Sequence, residues 1–82
     1  MVDVIFDEHF KRTISKIKDQ NVQKSIKSKI RKIVENPEVG KPMRNVRKGT
    51  REVYQGSFRI SYTYQKEKDT IEFLDFYHKD EQ

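Results

Sequence analysis

The stretch Arg51-Glu52-Val53-Tyr54-Gln55-Gly56-Ser57-Phe58-Arg59-Ile60-Ser61-Tyr62-Thr63-Tyr64 decides the fold. Its apolar residues recur with a period of two, the spacing of a strand with one buried face. Phe58, Ile60, Tyr62 and Tyr64 share one side; Arg59, Ser61 and Thr63 share the other. Gln55-Gly56-Ser57 interrupts the alternation with a turn, so Arg51 to Tyr54 and Phe58 to Tyr64 are predicted as paired strands. The polar run Gln65 to Asp69 is a second turn. Thr70 to Tyr77 then forms a last strand, apolar on both faces as an interior strand would be.

Toward the N-terminus the period lengthens. Val2, Val4, Ile5 and Phe6 make a short β-prone run. Asp7 follows as a helix N-cap, with Glu8 favoured in the first turn by the helix dipole. Phe10, Ile14 and Ile17 lie on one face of a short helix, which Asp19-Gln20-Asn21 breaks. Val22, Ile26, Ile30, Ile33 and Val34 mark a longer helix with Lys24, Lys27, Lys29, Arg31 and Lys32 on its other faces. Asn36-Pro37 ends it, because proline disfavours helical geometry at the residue before it. The expected order is β-α-α-β-β-β, an α+β fold in one domain over residues 1–82. The N-terminal strand and helix hairpin should pack on one face of a small, twisted, mainly antiparallel sheet, leaving Arg59 on the other.

Charge is concentrated in one place. Lys41, Arg44, Arg47, Lys48 and Arg51 follow one another with no acid until Glu52, and their sum equals the formal net charge of the whole chain, +5. Such clustering presents positive potential to a polyanion, whose binding would release counterions. A solvated loop is the plainer alternative. At 82 residues with 33% apolar and 38% charged content, the core is small. There is no cysteine and there are two histidines, so no disulfide, thiol nucleophile, metal site or cofactor is expected. No apolar run reaches membrane-spanning length and no signal core opens the chain, so a cytoplasmic protein is expected.

Arg59 offers a planar, permanently charged fork suited to a phosphate; its stem could equally serve to cover apolar sheet. His78, at the end of the last strand, is either a general acid or base or a structural strand-end residue. His9 is expected to have no chemical role. Of the tyrosines, Tyr62 and Tyr64 belong to the core face with Ile60, whereas Tyr77 is the one expected to be open for stacking on bases.

Three local features resemble the RelE/ParE superfamily of toxins, RelE more than ParE, across nearly the whole chain. Val34-Glu35-Asn36-Pro37 closes the second helix, with Lys41-Pro42-Met43-Arg44 shortly after. Gly56-Ser57-Phe58-Arg59-Ile60-Ser61-Tyr62 is similar to the family's strand motif. Phe76-Tyr77-His78-Lys79-Asp80 is similar to its C-terminal motif. The resemblance implies a RelE-like fold and a toxin of a type II toxin–antitoxin system. It further implies a ribosome-dependent endoribonuclease that cuts mRNA in the A site, the 2′-hydroxyl attacking the adjacent phosphate. By the same likeness Arg59 would hold the scissile phosphate, Lys79 would stabilise the transition state, and Arg51 would stand near the first basic residue of the preceding strand. His78 is the remaining catalytic candidate; Lys41, Arg44, Arg47, Lys48 and Tyr77 are the RNA-binding candidates. The implied partners are a RelB-type antitoxin, in a toxin–antitoxin heterotetramer, together with the ribosome and mRNA, and no membrane. Glu52, Val53 and Tyr54 stand where the family has a second basic strand residue. Two alternatives therefore stay open: a RelE-like protein that binds RNA or ribosomes without cutting, and a ParE-like inhibitor of DNA gyrase.

Overall fold

A computed structural model describes residues 2–43 and 49–81. Asp3–Phe6 forms β1, Glu8–Ser15 α1, Gln20–Glu35 α2, Lys41–Pro42 β2, Arg51–Gln55 β3, Phe58–Gln65 β4 and Thr70–His78 β5. Short 3-10 turns occupy Lys66–Lys68 and Lys79–Glu81. The strands make one sheet in the order β1-β5-β4-β3-β2. Only β1 against β5 is parallel, since the two helices carry the chain across before the antiparallel meander begins. This is the expected α+β order with one addition. The two-residue β2 is too short to show a period in sequence. Its Pro42 lies at the sheet edge, where a missing N–H is tolerated.

Local chemistry sets the helix ends. The Asp7 carboxylate accepts from the backbone N–H of His9 at 3.0 Å. Asp19 accepts from Asn21 at 2.8 Å and Val22 at 3.3 Å. Asp19 is thus the cap of α2, and Gln20 and Asn21 are its first turn rather than a helix break. The first helix stops at Ser15, short of Ile17, whose N–H still reaches the Ile14 carbonyl at 3.0 Å.

Both helices cover the same face of the sheet. Phe10, Ile26 and Ile33 meet Ile60 and Tyr62 of β4 and Ile71, Phe73 and Phe76 of β5 in one buried cluster. Burying each such side chain contributes about 1.5–3 kcal/mol. The aromatic rings are in direct contact: Phe6 stacks on Phe73 at 5.2 Å and Phe58 on Phe76 at 4.9 Å. The period-two reading of β4 holds along its length. That of β5 does not. The register slips between Ser61 and Tyr62, which pair with Asp75 and Phe73, so β5 carries an extra residue at Leu74. A bulge of this kind shifts side-chain parity. Ile71, Phe73 and Phe76 therefore face one core, and the strand that read as apolar on both faces owes much of that pattern to the shift.

The segment between α2 and β2 is fastened to β4 by a single phenol. The Tyr62 hydroxyl donates to the Pro37 carbonyl at 2.8 Å and accepts from the Gly40 N–H at 2.8 Å. Gly40 lies so close to the ring that a Cβ there would fall 2.5 Å from Oη and 2.7 Å from Cε1 of Tyr62. Gly40→Ala should therefore destabilise the fold by about 1–3 kcal/mol in urea titration, as overpacking against a fixed ring does. Burial pushes the Tyr62 phenol above its ordinary value of 10.0, outweighing the opposing effects of the Gly40 N–H and the Arg51 charge. A folded-state pKa raised above the unfolded one means stability that is full below about pH 10 and is lost as pH rises through the folded value. Tyr62→Phe should weaken that alkaline loss. Tyr64, also raised, by burial and then by its bond to Asp69, keeps the remainder. At neutral pH the same variant should cost about 1–3 kcal/mol, because the Pro37 and Gly40 groups lose their partner.

Candidate nucleic-acid interface

The face turned away from the helices follows from strand register. Lys41 pairs with Glu52, Tyr54 with Arg59, and Arg59 with Tyr77. Paired residues leave a sheet on the same side, so Lys41, Glu52, Tyr54, Arg59 and Tyr77 share this face. Two side-chain contacts agree. The Arg59 guanidinium carbon lies 4.0 Å from the Tyr54 ring centroid, and the Tyr77 hydroxyl donates to a carboxylate oxygen of Glu52.

Arg59 is set by the tight hairpin. Gly56 takes a positive φ of 57°, the backbone freedom that a two-residue connection needs at its first central position. The turn then aligns Tyr54 across from Arg59. One guanidinium nitrogen, Nη1, donates to the carbonyl of Phe58 at 3.1 Å and more weakly to that of Gly56 at 3.4 Å. Nε and Nη2 make no hydrogen bond among the described residues. Lys79 comes to the same hairpin from the other chain end. Its N–H donates to the Ser57 carbonyl at 2.8 Å, tying the C-terminal turn to the β3–β4 connection, and its side chain is exposed. Arg59 and the Lys79 backbone thus lie at the same end of the sheet.

The other sequence candidates are placed differently. Arg51 pairs with Tyr62 and so leaves β3 on the helix-covered side. Its Nη1 donates to the carbonyls of Gly40 at 2.8 Å and Glu38 at 3.1 Å. The structure separates it from Arg59 and gives it a bracing task, correcting the expectation that it joins the catalytic group; strand parity is the reason. His78 pairs with Phe58 and packs edge-on against that ring at 5.3 Å, again on the helix side of the sheet but at the Arg59 end. Its Nδ1 accepts from the Asp80 N–H at 3.2 Å. Tyr77 lies on the Arg59 face but is only 6% exposed, with its hydroxyl committed to Glu52. It is an underlying residue rather than the open stacking ring expected. Lys41 is exposed on the Arg59 face. Arg44, Arg47 and Lys48 lie outside the described residues. His9, expected to be idle, links α1 to the β5 bulge through Asp75 at 3.0 Å.

Two residues of this face were given no site role by the sequence reading. Glu52 is an acid 2% exposed, and Tyr54 is a ring 49% exposed. Counting pairs outward from the Gly56-Ser57 turn would have found Tyr54, since it must stand opposite Arg59. Nothing in the sequence marks Glu52 as buried. No group of three or more His, Asp or Glu among the described residues is arranged to hold a metal ion. No helix among them is long and apolar enough to cross a membrane.

Comparison with known proteins gives a consistent picture. A family model described as ParE toxin of type II toxin–antitoxin system, parDE, matches residues 4–82. Among solved structures, the RelBE2 toxin–antitoxin complex from Mycobacterium tuberculosis superposes with a TM-score of 0.82 at 24% identity, covering 94% of this chain and 96% of that one. The isolated RelE toxin of E. coli gives 0.78 at 18% identity, over 95% and 84%. The heterotetrameric YoeB–YefM complex from Staphylococcus aureus gives 0.74 at 18%, over 95% and 98%. No curated protein matches the chain. The structural likenesses bear out the expected RelE-like fold.

The different placement of Arg51 makes a checkable difference. Arg51→Met should lower stability by about 1.5–3 kcal/mol in chemical denaturation, the scale of a charged donor's hydrogen bonds. An arginine engaged only by an external ligand would leave the denaturation midpoint where it was.

Proposed function

The chain belongs to the ParE toxin family of type II toxin–antitoxin systems, within the RelE/ParE superfamily, and we propose that it acts on RNA as an endoribonuclease of the RelE kind. The observation that carries this reading is the state of Arg59. Its guanidinium is pinned by two carbonyls and a ring on the sheet face away from the helices, yet Nε and Nη2 make no hydrogen bond among the described residues. A donor held this way stabilises charge that develops on a phosphate without reorganising as the reaction proceeds.

In the proposed reaction the 2′-hydroxyl oxygen attacks the neighbouring phosphorus, and the bond to the 5′-oxygen breaks. The products are a 2′,3′-cyclic phosphate and a free 5′-hydroxyl end. Arg59 holds the non-bridging oxygens. Lys79, exposed beside the hairpin, neutralises the growing charge from the C-terminal side. His78 at the same sheet end is the candidate proton carrier, and Lys41 adds attraction along the face. Substrate mRNA would be presented in the ribosomal A site. The family name favours a second reading, inhibition of DNA gyrase. A translation assay and a gyrase supercoiling assay run on the same preparation separate the two.

The solved relatives that are complexes pair toxin with antitoxin, and we extend that partnership to this chain. A groove of about 370 Å³ runs between the helices, lined by Phe6, Phe10, Ile14, Ile26 and Ile30, with Lys11 and Lys27 in its walls. It adjoins β1, an edge strand with Ile5 50% and Phe6 37% exposed. An acidic amphipathic segment of the antitoxin fits both the apolar floor and the lysines.

Arg59→Ala should lower RNA cleavage on translating ribosomes about 100- to 1,000-fold, the usual cost of removing one preorganised donor, with a loss of stability of about 1 kcal/mol from its carbonyl bonds that leaves the protein folded. Cleavage at the wild-type rate would reject the assignment. The double charge reversal Lys11→Glu with Lys27→Glu should weaken the toxin–antitoxin complex in calorimetry and leave ribosome-dependent cleavage alone.

A further inference from the structure

Tyr54 has a position that bracing of the fold does not explain. It is a large ring, 49% exposed, on the sheet face opposite the core. Its hydroxyl makes no hydrogen bond among the described residues. What it does contact is the Arg59 guanidinium, stacked 4.0 Å from its centroid. The contact holds the guanidinium against the ring face while Nη1 donates to the Phe58 carbonyl. The result is an exposed aromatic ring with one face covered by a fixed cationic fork, both on adjacent strands of one tight hairpin.

We propose that Tyr54 and Arg59 form a single-nucleotide clamp for single-stranded RNA, in which Arg59 takes a phosphate and the Tyr54 ring stacks the adjoining base on the face that the guanidinium does not cover. Two physical points support this pairing. Nε and Nη2 of Arg59 are available to donate to a phosphate in the guanidinium plane. A base that stacks on a protein ring must first leave its own stack, so the ligand is a single strand or an unpaired segment rather than a duplex. Every base has a π face, so the clamp would tolerate sequence at this nucleotide. Tyr54 is a positioning residue: it fixes which phosphate Arg59 holds and makes no contact with the reacting oxygens. Tyr54 supplies the aromatic surface that Tyr77, buried against Glu52, does not.

This inference rests on the RNA reading above, and the test keeps the two apart. The full chain is titrated with uncleavable 2′-O-methyl single strands carrying one 2-aminopurine, and with the same strands made abasic at that nucleotide. Wild-type protein should quench the 2-aminopurine and bind the abasic strand roughly 10- to 100-fold more weakly. Tyr54→Leu should lose the quenching and bind both strands with the same reduced affinity. Tyr54→Phe, which keeps the ring, should behave as wild type. If wild-type protein binds intact and abasic strands equally well at every 2-aminopurine position, the clamp is overturned and the RNA reading stands. If it binds neither, while Arg59→Ala leaves ribosome-dependent cleavage unchanged, the RNA reading falls and the clamp with it.

Discussion

The hydroxyl of Tyr62 is the interaction on which the rest of this structure depends. It sits in the middle of the core, among Phe10, Phe73 and the isoleucines of both helices, yet its oxygen reaches the chain between α2 and β2. A buried phenol needs partners for its polar end. Here both partners are backbone groups of one short segment, Pro37 to Gly40. The same segment is gripped again from β3 by Arg51, through the Gly40 and Glu38 carbonyls. Core packing and loop placement are therefore one constraint. The ring that fills the core also decides where β2 begins, and β2 opens with Lys41, where the basic segment starts. Gly40 is part of the same constraint, because no side chain fits beneath the ring.

The two faces of the sheet divide the labour. On the helix side the alternating residues of β4 meet the parity-shifted residues of β5, and the bulge at Leu74 lets Phe73 and Phe76 serve one core. On the other side a layered arrangement forms. Glu52 and Tyr77 lie beneath, bonded to each other, and Tyr54 and Arg59 lie above, in contact across the hairpin. An arginine that stood free would sample many rotamers and lose that entropy on binding. One held by two carbonyls and a ring has already met that cost during folding.

Much of this was legible in the sequence. The two periods, two and near four, named the strands and helices in order, because a half-buried element must repeat its apolar residues at its own pitch. The cap Asp7 and the stop at Asn36-Pro37 were local chemistry, readable without tertiary contacts, whereas Asp19, read as part of a break, proved to be the cap of α2. Arg59 was placed on the face away from the helices by parity alone, and the concentration of positive charge before Glu52 was plain from counting. The motifs around Asn36-Pro37, Gly56 to Tyr62 and Phe76 to Asp80 pointed to the superfamily that the family match bears out.

What the tertiary structure decided were the facts that depend on two distant stretches meeting. Arg51 and Arg59 look alike in sequence, but the pairing with Tyr62 turns one toward the core side and the pairing with Tyr54 turns the other outward. Tyr77, expected to be open, is buried, and it is Tyr54 that is exposed, since burial is set by what covers a residue and not by its own type. The bulge in β5 is a mismatch between two strands, and neither strand shows it alone. The sequence by itself determined the elements other than β2, their order and the side of the sheet that carries Arg59, because each is a repeat or a cap within a few neighbouring residues. Only the fold determined which charged and aromatic side chains share a site, because that depends on register between strands that the sequence keeps apart.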